Sequence, residues 1–295
     1  MVRNKEREDV ATYFARRFHW RIDEHRGDIS RNAMEKIVSE EIRNSGFPTT
    51  AIILGTGWGD ALKLERLLEY PFTELEGFKS LGQLQGHNRK LVYGRLKGKT
   101  VWVLDGRVHL NEDPTNLEIP KMVRLQVEML FHLGVKNLIV TNAAGSLSCD
   151  IKVGDLVVAD GFLTLNSPAM PLWAGEFCSP EDALSPLLRK LAIESAVGLI
   201  DIHQGGYAMV RGPFFEGRKY DKAILRNNGA STVGMSTLPE ACIASLYKEE
   251  GVKMLAVSFI TNTDSEDHSH EENLARVKAS AGKLSQFIER IVAKI

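Results

Sequence analysis

The sequence predicts an α/β fold with one large domain, because short apolar strands alternate with helices along nearly the whole chain. Several of these apolar runs end in small hydroxyl, amide or glycine residues. They lead into Gly55-Thr56-Gly57-Trp58-Gly59, Thr141-Asn142-Ala143-Ala144-Gly145, Thr237-Leu238-Pro239-Glu240 and Thr261-Asn262. Ligands of α/β sheets bind at the carboxyl ends of strands, so the pattern indicates a pocket lined by neutral hydrogen-bond donors. We therefore expect an enzyme for a small, polar, anionic substrate.

The composition excludes several classes of function. The chain has 295 residues, 43% hydrophobic and 25% charged, as is usual for a globular domain. Its formal charge of -1 provides no overall field for nucleic acid or an anionic membrane. No apolar run is long enough to span a membrane, and the charged N-terminus is unlike a signal peptide. Cys149, Cys178 and Cys242 are scattered, and no Cys/His group has zinc-ligand spacing, so we expect reduced thiols, a cytoplasmic protein and no metal.

Two parts of the chain are distinguished by pattern. Residues 1–46 are predicted to form a helical N-terminal extension, which Gly46-Phe47-Pro48 ends, and residues 47–295 form the main domain. A hairpin is predicted at 91–104 and a long irregular segment at 161–181. The predicted helices cover 116–132, 184–197, 216–227, 239–250 and 271–294, and further strands cover 156–159, 207–210 and 252–260.

The glycine-rich turn at 55–59 follows a strand and is expected to open a helix. Its backbone amides and the Thr56 hydroxyl are suited to cradling a phosphate. The segment lacks the lysine of a nucleoside-triphosphate loop, so a plain strand-to-helix turn is an equally good interpretation.

Arg107 and His109 are two residues apart and share one face of an extended chain. An arginine can hold two phosphate oxygens while a histidine donates a third hydrogen bond. The alternative is an exposed pair on an edge strand.

Phe215 and Glu216 suit a flat heterocycle, because the ring can stack on it and the carboxylate can accept from its N–H groups. The alternative makes Phe215 a core residue and Glu216 a charge in the first turn of a helix. Asn262, after an apolar strand, either contacts the ligand or forms a turn.

Taken together, these segments resemble the trimeric purine nucleoside phosphorylase family, which also contains the methylthioadenosine phosphorylases. The match covers residues 48–295, and its most specific motifs are Asn142-Ala143-Ala144-Gly145 and Gly234-Met235-Ser236-Thr237-Leu238-Pro239-Glu240. The other matching motifs are Gly55-Thr56-Gly57, Gly86-His87, Gly106-Arg107-Val108-His109, Gly212-Pro213-Phe214-Phe215-Glu216, Ile260-Thr261-Asn262 and His270-Glu271-Glu272. The resemblance implies a mixed, twisted sheet that curls toward a barrel between flanking helices, and a homotrimer.

The resemblance also implies a role for each matching residue. Inorganic phosphate would be the second substrate, with no cofactor and no metal, and the catalytic residues would be Asn262, Glu216 and His109. The phosphate would contact Thr56, His87, Arg107, His109, the Ala143 backbone and Ser236. The base would contact Phe215, Glu216, Val233, Thr261 and Asn262. The ribose would contact Met235 and His270.

The amide of Asn262 indicates the substrate, because the 6-oxopurine members of the family resemble this chain here and the methylthioadenosine branch carries an aspartate. We expect inosine, guanosine and their deoxy forms to be cleaved to free purine and ribose 1-phosphate, without nucleic acid or membrane as partner.

Some positions depart from the family pattern. Thr56 replaces a serine, Trp58 a leucine and Asn111 a tyrosine beside the ribose, and in the short acidic segment 264–270 His268 competes with His270 for its role. Trp173 or Phe177 would be the aromatic that reaches a neighbouring subunit. These departures leave open a xanthosine or methylthio-nucleoside phosphorylase, or a nucleoside-binding relative without catalysis.

Overall fold

Nine β-strands form one mixed sheet within the described part of the chain. The computed structural model describes residues 37, 42, 46–78, 86–172, 175–212, 214–217, 219–264 and 269–295. The strands are β1 (Thr50–Ile53), β2 (Glu65–Pro71), β3 (Lys90–Leu96), β4 (Lys99–Asp105), β5 (Asn137–Ser146), β6 (Leu156–Leu163), β7 (Ile202–Met209), β8 (Ala230–Gly234) and β9 (Lys253–Asn262). Their order in the sheet is β2-β3-β4-β1-β5-β8-β7-β6-β9.

The far end of this sheet closes on itself. β9 pairs antiparallel with β6 and also parallel with β5, so β5, β8, β7, β6 and β9 form a ring. β4, β1 and β5 are parallel neighbours, whereas β2, β3 and β4 are antiparallel. The expected mixed sheet that curls toward a barrel is therefore confirmed.

Helices cover both faces of the sheet. They are α1 (Glu118–His132), α2 (Pro186–Ala196), α3 (Asp221–Asn227), α4 (Leu238–Leu246), α5 (His270–Ala279) and α6 (Ala281–Lys294). Side chains alternate along β1, so Ile53 packs in a core with α1 and α4, and Ile52 packs in a second core with α2 and α6. The central strands β1 and β5 are thus buried on both faces, whereas the edge strand β2 is partly exposed.

Several predicted elements are confirmed within a few residues. The hairpin is β3 and β4, and the first helix ends before Gly134, which has the left-handed φ of 91° of a helix C-terminus. β2 pairs antiparallel with β3, and no sequence pattern had indicated it. β5 and β9 run through the motifs that were expected to follow them, so Asn142 and Asn262 lie within strands.

Three helix predictions were wrong. The glycine-rich turn opens no helix: with Gly57 at a φ of 76°, the chain makes tight turns from Gly55 and continues toward β2. α3 begins only at Asp221, so Glu216 lies in a loop and is not a first-turn helix charge. The C-terminal helix is divided into α5 and α6 at Ser280, a weak helix former whose ψ of 2° is not helical.

The predicted N-terminal extension lies almost wholly outside the described residues and stays a prediction. Within it, Ile37 and Ile42 are helical and fully buried in the core beside α1, and the Tyr70 hydroxyl donates to the Ile37 carbonyl at 3.1 Å. Among the described residues, no helix is long and apolar enough to cross a membrane.

Candidate active site

The sequence-predicted site residues all line one cavity of about 800 Å³. They come from the carboxyl ends of strands and the loops that follow, as expected for an α/β sheet. We call the wall formed by Thr56, His87, Arg107, His109 and Ser236 the Arg107 end, and the wall formed by Phe215, Glu216 and Asn262 the Glu216 end. The remaining predicted residues on the cavity wall are Ala143, Val233, Met235, Thr261 and His270.

At the Arg107 end, the glycine-rich turn lies directly against β5. A Cβ on Gly55 would be 2.6 Å from the Thr141 carbonyl oxygen, so only glycine permits this approach. The backbone N–H of Arg107 donates to His87 Nδ1 at 3.1 Å, which leaves the His87 proton on Nε2. Nε2 lies 3.2 Å from Thr56 Oγ1 and donates to it, so the Thr56 hydroxyl proton is left to point toward an anion.

Arg107 is buried, so the alternative of an exposed arginine on an edge strand is wrong. Its Nη1 donates to Glu240 Oε1 at 2.6 Å, and its Nη2 donates to the Thr141 carbonyl. These bonds use two of the five guanidinium N–H groups, and Nε has no partner among the described residues. The remaining donors suit an anionic ligand in the cavity.

Two histidines accompany Arg107. The rings of His87 and His109 meet edge to face with centroids 4.6 Å apart. Burial lowers the pKa of His87 well below its usual range, and the neighbouring His109 and Arg107 lower it further. Burial also lowers the pKa of His109, against the opposing effect of Glu112, so both rings are neutral at neutral pH. Glu112 in turn accepts from the His109 backbone N–H at 2.8 Å and from Arg89 at 2.5 Å.

Ser236 is placed by a strained turn between β8 and α4. Thr237 has a φ of 78°, which is unusual for a β-branched residue. Asn142 Nδ2 donates to Thr237 Oγ1 at 2.8 Å, and the Tyr207 hydroxyl accepts from the Ser236 backbone N–H at 3.4 Å. These contacts maintain the turn that puts Ser236 on the cavity wall.

At the Glu216 end, the aromatic residue is open to solvent. Phe215 is 49% exposed, so the alternative of a core phenylalanine is wrong. The Glu216 side chain is only 7% exposed, and its Oε1 lies 3.7 Å from the Nζ of Lys222 on α3. Burial raises the pKa of Glu216, whereas the charge of Lys222 opposes that rise.

Asn262 has a defined orientation. Its Oδ1 accepts from the Thr261 hydroxyl at 3.1 Å, and its Nδ2 packs against Gly145, where a Cβ would be 2.8 Å away. Arg276 donates to the Thr261 carbonyl and so anchors the end of β9 on α5. Because the carbonyl oxygen is engaged by Thr261, the Asn262 amide offers N–H groups to a ligand.

Met235, His270 and Asn111 also line the cavity. His270 is the first residue of α5, whose N-terminus is stabilised by a reciprocal capping box between Ser269 and Glu272. His268, the competing candidate, and Trp173 lie outside the described residues, whereas Phe177 is 92% exposed. Asn111 is buried and its Nδ2 is 3.4 Å from the Val210 carbonyl.

Some functional residues were missed from the sequence. Glu240 was quoted only as the last residue of a motif, although a buried arginine at Arg107 would require such a carboxylate. Asn142 likewise had no assigned role. Further cavity-lining residues without a predicted role are Asn111, Glu112, Asp113, Asn116, Ile119, Ala144, Gly145, Gly234 and Asn273.

The family model of the phosphorylase superfamily matches residues 49–293. The chain belongs to this superfamily, in its purine nucleoside phosphorylase family. The rat purine nucleoside phosphorylase is 31% identical over 268 residues, which are 84% of this chain and 89% of the relative. Purine nucleoside phosphorylase 1 of Geobacillus stearothermophilus is 30% identical over 90% of this chain and 98% of the relative.

Solved structures of the family have the same fold. A Schistosoma mansoni purine nucleoside phosphorylase in complex with adenosine superposes with a TM-score of 0.75 at 30% identity, covering 92% of this chain and 98% of that one. A schistosoma enzyme in complex with hypoxanthine gives a TM-score of 0.73 at 30% identity, with the same shares covered. The chain is thus an enzyme of the nucleoside phosphorylase kind, and the cavity is its candidate active site.

Proposed function

We propose that this enzyme cleaves inosine, guanosine and their deoxy forms with inorganic phosphate, releasing the free purine and ribose 1-phosphate or its deoxy form. The observation that carries the proposal is the pairing of two chemistries in one cavity: anion donors at the Arg107 end, and a carboxylate with an amide donor at the Glu216 end. A purine nucleoside with phosphate presents the complementary groups.

The proposed reaction is a displacement at the anomeric carbon. The bond between C1′ and N9 breaks and its electron pair leaves with the purine, while a phosphate oxygen forms the new bond to C1′. The proton of hydrogen phosphate is transferred to the departing purine and neutralises its negative charge. Thr56, Arg107, His109 and Ser236 orient the phosphate, and its negative charge stabilises the cationic ribose.

The Glu216 end stabilises the departing base. Asn262 Nδ2 donates toward N7 of the purine, where negative charge increases as the bond breaks. Glu216 accepts from the N1–H of a 6-oxopurine, and Phe215 stacks on the ring. The chemistry assigns phosphate as the second substrate and calls on no metal or cofactor.

We also propose a homotrimer located in the cytoplasm. The exposed Phe177, in the segment that the family uses between subunits, supports the assembly, and the free cysteines among the described residues support the location. Light scattering on the purified protein should give three chain masses, and a monomer mass would contradict the trimer.

The decisive experiment is hypoxanthine release from inosine with and without phosphate, with ribose 1-phosphate measured in parallel. Release that requires phosphate is expected. Guanosine, xanthosine, adenosine and methylthioadenosine are compared in the same assay, since Asn111 is smaller than the tyrosine usual beside the ribose. A preference for xanthosine or methylthioadenosine would make that nucleoside the assigned substrate. No release of base from any of these nucleosides would contradict the proposed phosphorolysis.

A further inference from the structure

Lys222 is a buried cation whose contact is with the candidate site and not with solvent. It is 3% exposed, and its Nζ lies 3.7 Å from Glu216 Oε1. Glu216 lines the cavity, whereas Lys222 does not. Moving an ammonium out of water is costly unless a carboxylate compensates, so the pair is a built feature of the Glu216 end.

The local chain geometry keeps the two residues together. The Lys222 backbone N–H donates to the Gly217 carbonyl at 3.1 Å, and the Gly217 N–H donates to Asp221 Oδ2 at 2.9 Å. These bonds fold the loop back on the start of α3. α3 therefore brings Lys222 next to Glu216, although Lys222 is not itself among the residues that line the cavity.

We propose that Lys222 is a positioning residue that keeps the Glu216 carboxylate ionised and directed into the cavity, and so sets the preference for purines with a ring N1–H. The substrate does not touch Lys222. This inference rests on the proposed function, because it assigns the carboxylate to a ring N–H of the base.

Burial and the neighbouring charges change the pKa of Glu216 in opposite directions. Burial raises its pKa first of all, Lys222 opposes that rise, and Asp221 adds to it. Removing the cation of Lys222 therefore raises the pKa of Glu216 further. The titration of Glu216 then moves to higher pH, and a protonated carboxyl is a poorer acceptor for an N1–H.

The test compares Lys222→Met, Lys222→Arg, Glu216→Gln and the double variant Lys222→Met/Glu216→Gln. On the acid limb of the pH profile, Lys222→Met should lower kcat/KM for inosine by up to about tenfold, because there one pKa unit changes the ionised fraction by that factor. In this variant, the acid limb of the kcat/KM profile against pH should move to higher pH, and the KM for phosphate should stay unchanged. Lys222→Arg should restore most of the activity.

The double variant separates positioning from a merely structural role. In the Glu216→Gln background, Lys222→Met should have less than about a twofold effect, since residues that act as one unit are not additive. Lys248→Met is the matched control, because it removes an exposed lysine whose Nζ is 2.6 Å from Asp182. It should behave like the wild type.

Two results would overturn the inference: an unmoved acid limb in Lys222→Met, or an equal loss in the Glu216→Gln background. If Lys222→Met does not fold, Lys222→Gln replaces it with the same expectations.

Calorimetric binding of hypoxanthine, measured against pH, separates this inference from the proposed function. A wild-type chain that binds hypoxanthine but cleaves no nucleoside contradicts the function, and the binding profiles of the variants then decide the role of Lys222. A chain that neither binds nor cleaves contradicts both.

Discussion

The Arg107 end and the Glu216 end of the cavity are stabilised in different ways. At the Arg107 end, a 2.6 Å buried ion pair and hydrogen bonds between strand ends hold the polar groups. At the Glu216 end, the carboxylate lies in a loop, its ion pair measures 3.7 Å, and the neighbouring phenylalanine is 49% exposed. The polar groups of the Arg107 end, the proposed phosphate site, are thus organised without a ligand, whereas the proposed recognition of the base depends on a few side chains with less support.

The largest expected effect is at Arg107. Arg107→Met should lower kcat/KM for inosine by about 10²–10³-fold, since it removes a buried guanidinium that we propose donates to the phosphate. It should also reduce the free energy of unfolding on the order of 3–5 kcal/mol, because Glu240 loses its partner in a buried site. Denaturant unfolding and steady-state kinetics measure the two losses separately.

The double variant Arg107→Met/Glu240→Gln sharpens this test. It should recover much of the stability without recovering activity, because no buried charge is left unpaired but the phosphate donor is still missing. A near-normal KM for phosphate in Arg107→Met would remove Arg107 from the anion site.

At the Glu216 end, Asn262→Asp tests the discrimination between bases. In the proposed reaction the amide donates to N7 of a 6-oxopurine, whereas a carboxyl group suits a 6-aminopurine. The ratio of adenosine to inosine kcat/KM should therefore rise about a hundredfold. The phosphate KM should stay the same, because the change is confined to one end. Asn228→Asp, an exposed amide after α3, is the control. An unchanged ratio would contradict the role at N7.

The contact that supports Asn262 can be tested separately. A Cβ at Gly145 would lie 2.8 Å from Asn262 Nδ2, so Gly145→Ala should displace the amide. We expect a stability loss of about 1–3 kcal/mol from overpacking and a larger loss of inosine cleavage than of phosphate affinity. Gly282→Ala, with no neighbour within 4 Å, should keep wild-type activity. A fully active Gly145→Ala would show that the amide position is not critical.

The sequence predicted the strand-end motifs well because their chemistry is local. Ser236 follows β8, Asn262 ends β9 and Asn142 lies within β5, and all three line the same cavity. Glu240 and Lys222 were missed because each owes its position in the site to a partner elsewhere in the chain. Glu240 pairs with Arg107, 133 residues away, and Lys222 pairs with Glu216. Partners of this kind depend on the tertiary fold and have no local pattern.

Helix boundaries failed for a related reason. The segment from Glu216 reads as a continuous helix by composition, yet Asp221 accepts from the Gly217 N–H and the helix begins only there. A short-range side-chain bond thus competes with the helix, as aspartate commonly does near an N-terminus. The closure of the ring by β5 and β9 is a long-range pairing, so it entered only through the family resemblance.

The smallest expected effect concerns pH, and it has opposite signs at the two ends. The folded state keeps His87 neutral, while the unfolded chain takes up a proton near its usual pKa of about 6.5. The unfolded state therefore binds more protons below that pH, and His87 makes the protein less stable as pH falls. Glu216 has a raised pKa, so its contribution to stability is present at low pH and lost as pH rises.

Substitutions at the two ends should accordingly change the acid response in opposite directions. Between pH 7.5 and 5, His87→Gln should lose less unfolding free energy than the wild type, and Glu216→Gln should lose more, each by on the order of 1 kcal/mol. Urea unfolding in phosphate-free buffer measures this, since bound phosphate would stabilise the folded state by itself. Parallel profiles of unfolding free energy against pH for both variants and the wild type would contradict this assignment. Neither a neutral His87 at the Arg107 end nor a raised pKa of Glu216 at the other end would then be supported.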